Sequence, residues 1–440
     1  MFRKKEKMRA KDFVKIFGPA AVLTIIGFFI AYQFVAPAPP KHLVIGTGPP
    51  ESAYYFYGKA YSEILARDGI ILEIKTTAGS AENLGQLESE TDGVDIAFVQ
   101  SGMRPLAGTG GVVSLGSLYF EPMWIFHHAG LELRRLTDFK GLRVAVGGEG
   151  SGTKVLAMQL LGLNGITPEN TRIFSFGSAA ATDMLLNGEL DVAIFVTTHR
   201  TDYIKKLFRA RSISLMGLER AEAYALRYHY LYVLKLPEGV IDFEANIPSR
   251  DLTMIAPTTQ LVARSDLHPA LISLLIQAAE EIYKKGGAFE KEGEFPSPKY
   301  LDFELSEEAK RFYESGPSFL RRYLPFWVAN FLKRITVMLL PFAMLLFPFF
   351  KLMPSVYRWR MRSRIYRWYS RLDAIDPEIN KEARSDRIEE YLSELDGLEE
   401  KVARISVPLA YTEELYHLRM HIDLLRKSLL REREKKNSAK

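Results

Sequence analysis

The sequence predicts a two-lobed α/β domain held between two apolar segments of membrane length. Three observations predict it. Short β-rich runs alternate with helical patterns over residues 42–320. The run "LESETDGVDIAFV" (87–99) is echoed by "LLNGELDVAIFV" (185–196), each passing from helix end through a turn and an aspartate to an apolar strand. Uncharged apolar stretches stand outside the domain at both ends, each beside a block of basic residues.

Composition narrows the class. With 440 residues, 47% hydrophobic and 25% charged, the chain can build two or three cores. It has no cysteine, which excludes disulfides, thiolate chemistry and sulfur-ligated zinc but leaves the compartment open. The net charge of +5 is not a nucleic-acid footprint, because it is local. Residues 1–15 carry a net +5, and the six arginines of 355–371 have no acid among them, so the rest of the chain is acidic. No nucleic-acid partner is implied.

The basic N-terminus, 1–15, should be cytoplasmic and lead into a transmembrane helix at 16–36, "IFGPAAVLTIIGFFIAYQFVA". A cleavable signal peptide is the alternative, disfavoured by the prolines of "VAPAPP". A second apolar run, "ITVMLLPFAMLLFPFF" (335–350), should form a second transmembrane helix within 323–353, kinked at Pro341 and Pro348. "YLPFWVANFLKR" (323–334) should approach it along the interface, and a re-entrant hairpin is the alternative. Both termini are then cytoplasmic and 37–322 faces outward.

Inside the domain, strands are expected at Leu43–Gly46, Ile71–Lys75, Asp95–Val99, Leu142–Val146 and Asp191–Val196. Helices are expected at Tyr55–Ala66, Ala81–Leu87, Thr153–Leu163 and Ala179–Leu186. The first lobe should comprise about 42–125 and 215–320, the second about 126–214. Ligands of open α/β sheets bind beyond the carboxyl ends of the strands. Four turns occupy such places: "GTGPPESAYY" (46–55), "AGSAENL" (78–84), "VQSG" (99–102) and "GGEGSGT" (147–153). They offer hydroxyls, amides, rings and free N–H groups, an inventory for binding rather than catalysis, and no nucleophile–base pair stands out. No catalytic residue, metal or cofactor is implied, and His127-His128 lacks the companions of a metal site.

The run "AVGGEGSGTK" (145–154) is the densest anion candidate. It fails as a phosphate loop, because Thr153-Lys154 follows Gly152 where Lys-Ser/Thr is needed. A small carboxylate suits it better. A charge at a helix start is stabilised by roughly 0.3–1 kcal/mol when exposed and up to about 2 when partly buried.

At these residues a family resemblance emerges. "LVIGTGPPESAYY", "TTAGSAENL", "DIAFVQSG", "GLRVAVGGEGSGTKVLAMQLL", "LLNGELDVAIFV" and "LVARSDLHPALI" resemble, in order, the TAXI-type solute receptors of tripartite ATP-independent periplasmic (TRAP) transporters. The resemblance implies a two-lobed periplasmic-binding-protein (type II) fold closing over a small organic acid such as glutamate or 2-oxoglutarate. It implies TRAP transporter membrane subunits as partners, beside the lipid bilayer. Glu51, Ser52, Phe56 and Gly102 depart from the family pattern, and so does the tail.

The candidate ligand-binding residues each have a plainer structural reading. Ser151 and Thr153, with Gly150 and Gly152, are the carboxylate candidates, although Ser151 can simply cap its helix. Ser80 and Asn83 stand at a similar helix start. Tyr54 and Tyr55, raised by the resemblance, can stack on a solute or pack in the core. Thr47, Gln100, Ser101 and Thr197 end buried strands and can point into a crevice.

The tail, 358–435, should begin with "RWRMRSRIYRWYSR" against anionic head groups. Two helices follow with apolar seams, Ile388, Tyr391, Leu395, Leu398, Val402, Ile405 and Tyr411, Leu415, Leu418, Ile422, Leu425, Leu429. An antiparallel hairpin and a self-associating coiled coil both satisfy seams of about three heptads.

Overall fold

The computed structural model describes residues 22, 25–30, 32–33, 37–89, 93–104, 111–375, 387–405, 407 and 411–438. They fall into two compact units, 37–331 and a second made of 1–36 with 332–440.

In the first unit the chain forms β1 (His42–Gly46), α1 (Ala53–Ala66), β2 (Ile71–Lys75), α2 (Ser80–Glu88), β3 (Ile96–Gln100) and β4 (Val112–Phe120). It continues as β5 (Met123–His128), β6 (Arg143–Ala145), α3 (Gly152–Leu163), β7 (Arg172–Phe174), α4 (Ser178–Leu186), β8 (Val192–Val196), α5 (Asp202–Arg209) and β9 (Ile213–Leu215). It closes with α6 (Ala221–Arg227), β10 (Tyr232–Leu236), β11 (Leu252–Ala256), β12 (Thr258–Arg264), α7 (Pro269–Tyr283), α8 (Glu307–Ser315) and α9 (Phe319–Tyr323).

Two five-stranded sheets result, β2-β1-β3-β12-β4 and β7-β6-β8-β5-β9. In each, three parallel strands are joined by an antiparallel one, β12 beside β3 and β5 beside β8. The echoed motifs end in β3 and β8, which hold the same place in the two sheets. This is the α/β, periplasmic-binding-protein-like architecture with mixed sheets. All five residues of β3 and all five of β8 are buried, because helices cover both faces of a mostly parallel sheet.

The chain crosses between sheets twice, at Glu121-Pro122 and at Pro257, and the Glu121 N–H donates to the Pro257 carbonyl at 2.9 Å. β10 and β11 form a separate two-stranded sheet that gives Leu234 and Ala256 to the first lobe's core and other side chains to the second lobe. Leu236, Leu252 and Met254 of β10 and β11 pack into that lobe's core beside Trp124 and Phe126. The first lobe's core joins Tyr61, Phe98, Leu261 and Leu275.

The approach segment packs one face on the domain and leaves Val328 and Phe331 exposed. Phe326 is 3% exposed in the first lobe's core, and Trp327 Nε1 donates to the Asp68 carbonyl at 2.7 Å. Arg321 pairs with the Asp68 carboxylate at 2.5 Å. A buried aromatic and two polar partners hold this stretch to the domain.

A single helix, α10, runs Phe326–Ile375 and includes positions 341 and 348. A proline within a helix removes one hydrogen bond, and the flanking turns carry the helix across it. Among the described residues no helix is long and apolar enough to cross a membrane. The expected first span, 16–36, lies largely outside the described residues, and the second forms one stretch of the longer helix α10.

In the second unit α11 (Ile388–Ala403) and α12 (Thr412–Ser438) pair antiparallel. The register shows it: Arg433 reaches Glu389 at 3.3 Å, and Arg426 reaches Asp396 at 2.7 Å. Most side chains of both apolar seams are buried within the chain, the arrangement the antiparallel-hairpin alternative expects. Ile365, Leu372 and Ile375 of α10 join Leu395, Leu398, Val402, Leu418, Ile422 and Leu429 in one core. The arginine-rich stretch expected on lipid therefore contributes a third helix to this bundle.

Phe98 stacks its ring near Tyr54 and Tyr61 and has no exposed surface, whereas Phe56 is 64% exposed. Phe98→Ala should lower stability by about 3–5 kcal/mol, and Phe56→Ala by less than about 0.5. Urea denaturation followed by tryptophan fluorescence distinguishes the two.

Candidate functional site

The carboxyl ends of β1, β3, β6 and β8 converge where the two lobes face each other and border a half-open cavity of about 270 Å³. The first lobe supplies the turn before α1, Ala78 to Ser80 at the start of α2, Gln100 and Glu121. The second supplies the 147–153 turn, Gly177 and Ser178 at the start of α4, Val196, Thr197 and Tyr203.

Of the expected residues, Tyr54, Ser80, Gln100, Ser151, Gly152, Thr153 and Thr197 line this cavity. The Tyr54 hydroxyl lies 3.0 Å from Ser80 Oγ and donates to Glu121 Oε2 at 3.1 Å. Ser80 Oγ in turn accepts from the Gln100 N–H at 3.0 Å. Ser151 spends its hydroxyl locally, donating to the Gly148 carbonyl and accepting from the Lys154 N–H, so it is the N-cap of α3. Thr153 Oγ1 accepts from the Val196 N–H at 3.2 Å and ties α3 to β8.

Thr47, Tyr55, Asn83, Ser101 and Gly150 do not line it. Asn83 is fully buried, donating to the carbonyls of Thr47 (2.7 Å) and Phe98 (2.9 Å) and accepting from Thr77 Oγ1 (2.7 Å). It staples β1 to β3, and Thr47, also fully buried, donates to the Lys75 carbonyl. Ser101 Oγ lies 2.7 Å from Thr258 Oγ1 and accepts from Gln260, inside the first sheet. Tyr55 faces away, with Lys59 Nζ 4.6 Å from its ring centroid. Gly150 presents its carbonyl to the Ala81 and Glu82 N–H groups at 3.1 and 3.2 Å, across the crevice.

Four helix starts meet here, and among the described residues only that of α4 has neither a serine cap nor a carbonyl from the facing lobe; Ser52 caps α1. The Gly150 carbonyl fills the start of α2, and Ser151 caps α3. At α4 the N-cap is Gly177, with no side-chain cap, and both Gly177 and Ser178 face the cavity. Unfilled N–H groups at a helix start are an anion site.

Sequence reading missed Glu121, Ser178 and Tyr203. The signal for Glu121 was present: one acid and one proline interrupt the apolar run "VVSLGSLYFEPMWIFHH". Glu121 is 3% exposed, and burial pushes its carboxyl up to about 8, against smaller lowering by the Thr259 and Tyr54 hydroxyls. Glu149, by contrast, is ion-paired to Lys154, which holds it below the usual carboxylate range.

The fold and its crevice define a two-lobed α/β protein of the periplasmic-binding-protein kind. The chain belongs to the NMT1-like family, whose model matches residues 45–294. Similar solved structures include an ancestral arginine-binding protein bound to arginine, at 16% identity and TM-score 0.37, covering 56% of this chain and 95% of that one. The aliphatic sulphonate binding protein SsuA from Escherichia coli is 14% identical with TM-score 0.35, covering 55% and 73%. Holo ArgBP from T. maritima is 12% identical with TM-score 0.36, covering 56% and 92%. At such scores these likenesses carry no weight for what this chain binds.

Two predictions follow from the site. Asn83→Ala removes two buried donations, to the Phe98 carbonyl and to the Thr47 carbonyl that Thr77 Oγ1 also reaches, and leaves the Thr77 hydroxyl without its Asn83 acceptor. At about 1–3 kcal/mol for an unmet buried group, it should lower the melting temperature by several degrees in a thermal scan. Glu121 is protonated in the fold and ionised in the unfolded chain between its usual carboxylate range and about 8. Its contribution is therefore complete at acid pH and lost as pH rises toward 8, at no more than about 1.4 kcal/mol per pH unit. Glu121→Gln should flatten that slope and gain on wild type between pH 5 and 9 in urea denaturation.

Proposed function

We propose that the protein is a membrane-tethered extracytoplasmic receptor that closes over a small organic acid and delivers it to a TRAP-type transporter. The observation that carries this reading is the half-open cavity between the two lobes, walled by an uncapped helix start, hydroxyls and amides. The solute's carboxylate lies at the start of α4, and Tyr54, Ser80, Gln100, Ser151, Thr153 and Thr197 surround the remainder. Several neutral hydrogen bonds of about 1 kcal/mol each, with one carboxylate at a helix start, amount to micromolar affinity, about −8 kcal/mol. The uncharged runs 16–36 and 335–350 tether the receptor to the bilayer with both termini in the cytoplasm.

A second reading, a sensor that passes lobe closure to the cytoplasmic helices, is favoured by one observation. Helix α10 is unbroken from residue 326, within the range of the first unit, to residue 375 in the second.

The test is a thermal-shift screen of the full-length protein in mild detergent against amino acids, mono- and dicarboxylates and nucleotides. A carboxylate at about 1,000 times its Kd should stabilise the fold by about 4 kcal/mol through mass action. A shift with nucleotides alone would overturn the receptor reading. At Gly152 a Cβ would stand 2.8 Å from Gln100 Oε1 and 3.0 Å from Ser80 Oγ. Gly152→Val should therefore abolish the ligand-induced shift while the ligand-free melting point stays near wild type. Carbonate extraction of membranes should leave the full chain in the pellet, and its release into the supernatant would remove the tether.

A further inference from the structure

We infer that the solute is a zwitterion, with its carboxylate at the open start of α4 and its ammonium against the buried Glu121 carboxylate in the same cavity. This rests on the receptor reading and narrows it from organic acids in general to amino acids. Glu121 then decides specificity between an amino acid and its 2-oxo counterpart.

The argument is one of charge. Among the described residues, no lysine, arginine or histidine lines the cavity, whereas Glu51, Glu121 and Glu149 do. Glu149 is answered by Lys154, and Glu51 is exposed. Glu121 is 3% exposed and receives only hydroxyl partners, so it has no protein cation to offset its ionisation. A dicarboxylate would bring two negative charges to a chamber with one open helix start and a buried acid. An amino acid brings one negative group for that helix start and one positive group for that acid. Buried ions are tolerated when paired and costly when alone.

The groups around Glu121 leave it as the one that titrates. Tyr54 and Tyr57 of α1, Tyr119 of β4, Tyr203 of α5 and Tyr283 of α7 are all raised by burial. Thr259 of β12 adds a neutral hydroxyl. The balance on binding follows: protonated Glu121 gives its proton to solvent, and the carboxylate formed pairs with the incoming ammonium. Near pH 7 each bound amino acid releases close to one proton.

Calorimetry on the full-length protein in detergent tests this, with L-glutamate, L-glutamine and L-arginine against 2-oxoglutarate and glutarate, in two buffers of different ionisation enthalpy. At least one amino acid should bind tenfold or more tightly than any acid lacking the amine. It should release near one proton at pH 7 and a small fraction of one at pH 8.5, with affinity rising severalfold between them. Glu121→Gln, isosteric with the protonated acid, should melt no lower than wild type, lose tenfold or more in amino-acid affinity, and release no proton. Equal or tighter binding of 2-oxoglutarate or glutarate, or amino-acid binding without proton release, overturns the zwitterion assignment and leaves the receptor standing. Silence from every acid overturns both.

Discussion

Closure of the crevice depends on one carbonyl. Gly150 O, from the second lobe, accepts from two N–H groups at the start of α2, in the first. Gly150 adopts φ +76°, a conformation glycine reaches freely, and a Cβ there would stand 3.0 Å from that of Ala78. Gln100 adds a second link, donating to the Gly152 carbonyl at 3.3 Å. These bonds border the cavity, and they also decide which helix start is left for a ligand. The start of α2 is taken by protein, α3 is capped by its own serine, and α4 remains.

Such links are few. Each hydrogen bond contributes about 1 kcal/mol net, so the contacts that bring the lobes together are of the same order as the affinity of one small solute. The two crossings, bonded to each other through the Glu121 N–H and the Pro257 carbonyl, form a short joint between sheets that share no strand, and β10 and β11 give side chains to both cores. Two rigid bodies on a short joint, with closure energies of this size, are the setting in which a ligand shifts an equilibrium between open and closed forms.

Much of the fold was legible because its signals are local. The apolar runs at β1, β2, β3, β6 and β8 are bounded by glycine and aspartate, and the amphipathic helices between them keep a regular period. The seams of α11 and α12 were legible for the same reason. The crossings were not, since "SLYFEPMWIFHH" reads as one apolar stretch and only the Glu-Pro pair marks the passage between sheets. The third helix of the tail bundle was hidden by its arginines, which surround Ile365 and Leu372 in sequence but not in the core. The site followed the same division. Residues at strand ends were identified as a class, but their facing is a matter of tertiary context: Gln100 points into the crevice and Ser101, its neighbour, into the sheet. Asn83 has the composition of a ligand group and the position of a staple, because its amide meets three buried backbone and hydroxyl partners first.

Glu121 connects these levels. Its backbone is half of the joint between lobes, and its side chain lies in the chamber that the joint opens and closes. A group ionised only when matched by a ligand's positive charge is favourable in the closed, desolvated form and adds little in an open one, where water screens the pair. The differential between those two states is what a ligand can spend on moving the lobes. A buried acid at a hinge, with tyrosines in place of cations around it, therefore makes the charge of the solute a condition of closure.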